Sequence, residues 1–174
     1  MAVALPFRPV QREGAGQGVF FPVRHYPVKS GETFVLGAPL TQNGIEVDEI
    51  DTNDVTLILG VAGAASDSAF GLGNADTVSH VTGLETTVPV FLADRNQIFE
   101  GQLSNGTSAL VVPDAANVGE DYGVVRQSDG TWTVDEADTT NVVVQILDFV
   151  TQGPECSDPN GKVFFRFLSS TLAN

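Results

Sequence analysis

Apolar and polar residues alternate in short runs along the chain from residue 30 onward. A period of two is typical of β-strands that bury one face, and the runs are separated by residues that favour turns. In the run VTLILGV, one predicted face carries Val55, Leu57, Leu59 and Val61, and the opposite face carries Thr56 and Ile58. The pattern therefore predicts an all-β fold.

Two predicted hairpins follow from turn residues placed between strand-like runs. The first joins residues 88–92 to residues 98–103 through a turn at residues 94–96. The second joins residues 124–125 to residues 132–134 through an Asp-Gly pair, which favours a tight hairpin turn. We expect neighbouring strands in both places.

The closing run KVFFRFL, residues 162–168, has apolar residues on both predicted faces, so we expect both faces to be partly covered. Residues 112–119 have a proline near the start and a glycine at the end, which favours one or two helical turns. The glycine-rich residues 63–76 are predicted to form a surface loop. Little helix is expected.

The composition agrees with this fold class. Val, Thr and Ile together account for 44 of the 174 residues, whereas Lys occurs twice and Met once. No apolar run reaches the length of about 18 residues that a membrane helix needs, and the N-terminus lacks the features of a signal peptide. We expect no membrane partner and a protein that matures in the cytoplasm where it is made.

Charge is distributed unevenly along the chain. The 22 Asp and Glu residues outnumber eight Lys and Arg, and the net charge of −14 argues against a direct nucleic-acid partner. Four of the eight basic residues nevertheless lie in the first 29 residues, beside the single acid Glu13. This segment is rich in proline and glycine, so we predict an extended basic arm, residues 1–29, followed by a barrel domain, residues 30–174.

The arm is predicted to contact another subunit or an acidic partner, because it combines positive charge with apolar side chains that need cover. The candidate contact residues are Arg8, Arg12, Phe20, Phe21 and Arg24. One alternative stays open, in which the arm folds back and neutralises acidic groups of its own barrel.

The sequence carries no motif for catalysis or cofactor binding. Cys156 lies in a turn-like string far from His25 and His80, which favours a loop cysteine over a reactive thiol. The glycine runs lack the lysine of a phosphate loop, and no Gly-x-Ser-x-Gly elbow occurs. We expect no enzyme, catalytic residue, metal or cofactor. The acidic stretch 46–54 leaves a calcium site open, but it lacks the ligand spacing of a known calcium loop, and a charged strand edge is the favoured explanation.

The order of these strand signals resembles the small β-barrel decoration, or cement, proteins of tailed bacteriophage heads. The resemblance covers residues 30–168 and is carried by GETFVLGAPLT, VTLILGVAGAA, VPVFLADRNQIFEGQL, the stretch from Asn117 to Leu147 and the closing KVFFRFL. It rests on the pattern of turns and strands, and not on a chemical signature.

The resemblance implies a β-tulip-like barrel and a non-enzymatic protein on the outer surface of an assembled HK97-type phage head, made in the host cytoplasm. It implies binding to the major capsid protein, bridging of capsid subunits, a homotrimer, and an arm that reaches along the shell. A second interpretation is a carbohydrate- or receptor-binding β module of a tail fibre, which would stack sugars on Trp132, Tyr122 or Tyr26.

Overall fold

A computed structural model describes residues 6–12, 22–51, 57–63, 77–79, 87–107, 109–151 and 160–173. Within these ranges the regular secondary structure consists of fifteen β-strands and no helix, which confirms the predicted all-β class. The strands are β1 (Arg8–Arg12), β2 (Val23–Pro27), β3 (Thr33–Val35), β4 (Pro39–Asn43), β5 (Glu46–Glu49), β6 (Ile58–Ala62), β7 (Thr77–Ser79), β8 (Thr87–Leu92), β9 (Gln97–Gly101), β10 (Leu103–Asn105), β11 (Ala109–Val111), β12 (Asp121–Arg126), β13 (Trp132–Asp135), β14 (Val144–Val150) and β15 (Lys162–Phe167).

The strands form two large sheets and one small one. The order in the eight-stranded sheet is β1-β9-β15-β14-β12-β13-β10-β11, and in the five-stranded sheet β2-β8-β6-β4-β5. The remaining pair is β3 with β7. Among these strands the pairings are antiparallel, except for β10 with β13, which is parallel.

The two outer strands of the five-stranded sheet meet at one end. Val28, directly after β2, forms a parallel bridge with Val47 of β5, and the N–H of Lys29 donates to the carbonyl of Val47 at 3.0 Å. Pairing therefore runs from β2 through β8, β6 and β4 to β5 and back to the end of β2. This curl is the barrel-like part of a fold that is otherwise sandwich-like.

One hydrophobic core joins the two large sheets. Leu40 and Val90 of the five-stranded sheet belong to the same buried cluster as Phe99, Trp132 and Phe165 of the eight-stranded sheet. On β15, three buried residues alternate with three half-buried ones. This confirms that both faces of the closing strand are at least partly covered.

The first predicted hairpin is wrong, although its turn is present. The N–H of Gln97 donates to the carbonyl of Asp94 at 3.1 Å, which closes the turn. However, β8 pairs with β2 and β6, whereas β9 pairs with β1 and β15. Residues 94–96 contain no glycine for the positive φ angles of a two-residue hairpin, and the turn carries the chain from one sheet to the other.

The second predicted hairpin is confirmed. Strands β12 and β13 are antiparallel partners, with Arg126 opposite Trp132. Gly130 has a φ of 88°, a conformation that glycine adopts without strain, and its N–H donates to the carbonyl of Gln127 at 2.9 Å.

The helical turns predicted within residues 112–119 are wrong. The backbone N–H of Asp114 donates to the side chain of Asn117 at 2.9 Å, and the N–H of Ala116 donates to the Asp114 carboxylate at 2.7 Å. Such local side-chain bonds compete with helical ones and leave a series of turns. Of the predicted loop at residues 63–76, Gly63 alone lies within the described ranges.

The predicted faces of VTLILGV are not kept at Leu57. The prediction places Leu57 and Val61 on one face, but Leu57 is 53% exposed and Val61 is fully buried, as is Ile58 of the opposite predicted face. Leu57 has a φ of 66°, and the register of β4 against β6 shifts between Leu40 and Thr41. Both irregularities interrupt the period of two. Val55 and Thr56 lie outside the described residues.

The described residues of the predicted arm belong to both large sheets. β1 is the end strand of the eight-stranded sheet, and β2 pairs with β8 in the other sheet. Phe7 is 1% exposed, and its ring centre lies 4.8 Å from that of Phe165. A Cβ on Gly101 would lie 2.5 Å from the Phe7 ring, so this glycine leaves the space that Phe7 occupies. The boundary between an arm at residues 1–29 and a domain at residues 30–174 stays a prediction, and so do the contacts of the arm with another molecule.

We expect Phe7→Ala to lower the free energy of unfolding by about 3–5 kcal/mol, as for other buried phenylalanines. Gly101→Ala should also destabilise the protein, because its methyl group would overlap the Phe7 ring, but should have a much smaller effect in the Phe7→Ala background. Urea unfolding of the four proteins measures this coupling. Strictly additive effects would show that Phe7 does not fill the space beside Gly101.

Candidate functional site

Basic residues from distant parts of the chain gather on one region of the eight-stranded sheet. Arg8 lies on β1, Lys162 and Arg166 lie on β15, and Arg95 lies in the turn before β9. We call these four residues the basic face. They are half of the eight basic residues of the chain.

The Glu100 carboxylate organises one end of the basic face. Its side chain is only 6% exposed, its Oε2 accepts a hydrogen bond from the Lys162 ammonium at 2.9 Å, and its Oε1 forms an ion pair with the Arg8 guanidinium. The Lys162 ammonium also lies 5.5 Å from the centre of the Phe164 ring. A carboxylate this well buried needs compensating charge, so Glu100 holds Arg8 and Lys162 together at the sheet surface.

The basic face continues along β15 to Arg166. Lys162, Phe164 and Arg166 are alternate residues of this strand and share its half-buried side. The Arg166 guanidinium donates to Oε1 of Gln145, its register partner on β14, at 2.9 Å. Arg166 and Arg95 line one cleft of about 210 Å³. Exposed Asp148, opposite Phe164 on β14, is an acidic neighbour of this surface.

The basic face gathers half of the chain's basic residues in one place, beside the carboxylates of Glu100 and Asp148. The net charge of the chain is −14, so an acidic partner is repelled by the molecule as a whole. At the basic face the same partner meets guanidinium and ammonium groups that can donate charge-assisted hydrogen bonds. The arrangement suits binding of an acidic surface.

The predicted contact residues do not form one cluster. Arg8 belongs to the basic face and keeps 62% of its side chain exposed. Arg24 is also exposed but lies on β2, in the other large sheet. Arg12 ends β1, and nothing is described of its side chain. Two predicted contact residues lie outside the described ranges, namely Phe20 and Phe21.

The two described cations at the ends of the predicted arm form ion pairs within the chain. Arg8 pairs with Glu100, and the Lys29 ammonium pairs with Asp48 and lies 3.7 Å from Oε1 of Glu32. These contacts support the alternative that the segment neutralises its own body, as far as Arg8 and Lys29 are concerned.

Sequence reasoning missed Arg95, Lys162 and Arg166. They are spread over some seventy residues, and only the pairing of β9 with β15 and the turn before β9 bring them together. A signal was present in KVFFRFL, because Lys162 and Arg166 are four residues apart and therefore share one face of a strand.

A second cleft, of about 480 Å³, lies between the two large sheets. Residues 48–51 of the acidic stretch line it, and its carboxylates are Glu32, Asp48, Glu49 and Asp51. Oε1 of Glu49 accepts a hydrogen bond from the indole N–H of Trp132 at 2.8 Å and lies 3.5 Å from Nε of Arg126. No group of three or more potential metal ligands occurs within the described ranges, from which residues 52–54 are missing.

Burial raises the pKa values of two carboxyl groups in this cleft. It raises the pKa of Glu49 above the ordinary 4.5, although the Trp132 hydrogen bond and the Arg126 charge act in the opposite direction. Burial also raises the pKa of Glu32, and the neighbouring Asp48 adds to the effect. Both carboxyls bind protons more tightly in the folded chain than in the unfolded one. The free energy of unfolding therefore rises as the pH falls through the raised pKa values toward 4.5.

The residues considered for sugar binding or thiol chemistry are not gathered into a site. Trp132 is 1% exposed and Tyr122 is 8% exposed, so neither ring is available for stacking on a sugar. Tyr26 is half-buried on β2, where His25 is exposed. Cys156 and His80 lie outside the described residues.

No protein-family model, curated protein or solved structure matches this chain. In the part of the chain that the structure describes, no helix has the length and apolar character needed to cross a membrane.

Glu49→Gln should weaken the pH dependence of stability. As the pH falls through the raised pKa of Glu49 toward 4.5, we expect the free energy of unfolding of the native sequence to rise, because this carboxyl takes up a proton. Glutamine is neutral throughout and still offers an oxygen to Trp132, so the variant should show a smaller rise. Urea unfolding at a series of pH values measures this, with Glu120→Gln as a control that removes an exposed carboxyl. An unchanged slope in Glu49→Gln would contradict the assignment.

Proposed function

We propose that this protein is a structural decoration protein that binds the outer surface of an assembled, HK97-type tailed-phage head and stabilises it by bridging capsid subunits. The observation that carries the proposal is the basic face, which offers an acidic partner one attractive surface on a strongly acidic chain. The all-β fold supports it, and so does the order of strand signals in the sequence, which resembles that of phage-head cement proteins.

The proposed contacts lie on both large sheets. The basic face meets one acidic capsid surface, and Arg24 on β2 meets another. Arg12, Phe20 and Phe21 are further proposed contact residues. A molecule with contact residues on two sheets can touch two capsid subunits at once, which is what bridging requires. In this proposal the protein is a homotrimer located on the outside of the virion and made in the host cytoplasm.

Bridging stabilises the shell through binding alone. A protein that binds the assembled shell, and not its separated subunits, favours the assembled state by mass action. Each contact is modest because an exposed ion pair contributes roughly 0.2–1 kcal/mol, but several contacts per molecule multiply the affinity. The negative charge elsewhere on the chain discourages association between free copies.

The basic face can be tested by one substitution with a charge-matched control. Arg95→Gln removes one positive charge from the face, whereas Ser128→Glu adds one negative charge at the exposed tip of the β12–β13 hairpin. Both lower the net charge by one. On heads assembled without this protein, we expect Arg95→Gln to bind up to about fivefold more weakly than Ser128→Glu, in line with the loss of one exposed ion pair. Cryo-imaging and sedimentation measure the occupancy.

A point substitution is preferable to deletion of the N-terminal segment, because Phe7 lies in the core and its loss would confound binding with folding.

Binding should also weaken as salt is added. Failure of the native protein to bind heads would contradict the proposed function. Equal binding by the two variants, with no salt dependence, would contradict the role of the basic face while leaving the rest of the proposal in place.

A further inference from the structure

The cleft between Arg95 and Arg166 has an unusual lining for this protein. Its described lining includes two arginines and no acidic residue, and its other polar residues are Asn96, Gln145 and Ser169. The chain has 22 acidic and only eight basic residues, so a cavity lined by two arginines and no acid is not what its composition leads one to expect.

Hydrogen bonds fix both walls of this cleft. On one side, the turn before β9 is held by Asp94, which accepts from the backbone N–H of Asn96 at 2.7 Å through its carboxylate and from that of Gln97 through its carbonyl. On the other side, Arg166 is held by its hydrogen bond to Gln145. The Arg166 guanidinium is thus held in place and loses less conformational entropy when a ligand binds.

The volume of about 210 Å³ limits what the cleft can take. Pockets for cofactors and drug-sized ligands are typically about 300–1,000 Å³, so this one suits a single small group. Two guanidinium groups select an oxyanion, since their paired N–H donors match the two oxygens of a carboxylate. Half-buried Leu168 also lines the cleft and offers apolar contact to the methylene groups that carry such a carboxylate.

We infer that this cleft binds a carboxylate, presented as a glutamate or aspartate side chain by an acidic segment of a partner protein. Since the cleft lies within the basic face, the inference rests in part on the proposed function and names the chemistry of its partner. The binding itself requires no phage head, so it can be measured separately.

The experiment uses the full chain and a blocked Gly-Glu-Gly tripeptide, with blocked Gly-Gln-Gly as its uncharged counterpart. We expect the glutamate peptide to cause saturable NMR shifts in the backbone amide signals of residues 95–96 and 166–169. The glutamine peptide should bind about tenfold or more weakly, as expected for loss of charge-assisted hydrogen bonds. Arg95→Gln should weaken binding of the glutamate peptide by a similar factor, and Ser128→Glu should leave it unchanged. Retained β-sheet circular dichroism and thermal unfolding would show that Arg95→Gln is folded.

Three results would overturn the inference. The first is an absence of saturable shifts with the glutamate peptide, and the second is equal binding of the glutamine peptide. The third is tighter binding of inorganic phosphate, titrated in a separate arm, which would assign the cleft to a free anion. None of these results would bear on whether the protein binds heads. Conversely, specific peptide binding combined with failure to bind heads would retain the cleft and reject the proposed function.

Discussion

A carboxylate buried in the eight-stranded sheet determines where positive charge collects on this protein. Glu100 lies on β9, between β1 and β15, and each neighbouring strand supplies one cation to it. Leaving such a group buried and unpaired would destabilise the fold by several kcal/mol, of order 3–5 when a partner is removed from a buried pair. Arg8 and Lys162 are therefore required by the packing, and the surface they create is available for binding as a consequence.

A second buried carboxylate plays a different part. Glu49 lies on β5 and accepts the indole N–H of Trp132 from β13, so one hydrogen bond joins the two large sheets across the core boundary. Its nearest cation, Arg126, is 3.5 Å away, and burial raises the pKa of the carboxyl in spite of it. Glu100 thus gathers cations within one sheet, whereas Glu49 links the two large sheets through its hydrogen bond with Trp132.

The local features of this fold could be predicted from sequence, and the long-range ones could not. Alternation identified the buried and half-buried residues of β15, and the Asp-Gly pair identified the β12–β13 hairpin, because both depend on neighbouring residues alone. The partners of β8 and β9 depend on residues far along the chain, so the turn between them was mistaken for a hairpin. Phe7 lies in a segment whose prolines and glycines suggested an arm, and its burial requires space left by Gly101. The basic face also depends on pairing between distant strands, so only one of its four residues, Arg8, is among the contact residues predicted from sequence.

The pairing of β1 with β9 has a consequence for synthesis of the chain. Arg8 and Glu100 are 92 residues apart, so the first strand leaves the ribosome long before its partner has been made. At a translation rate of about 5–20 residues per second, this delay lasts roughly 5–20 s, far longer than the microseconds in which a local hairpin forms. During that interval the Phe7 ring is without its pocket and the edge of β1 is unpaired. The β1 strand can pair once β9 has been made, but the pocket of Phe7 is complete only after β15 has followed.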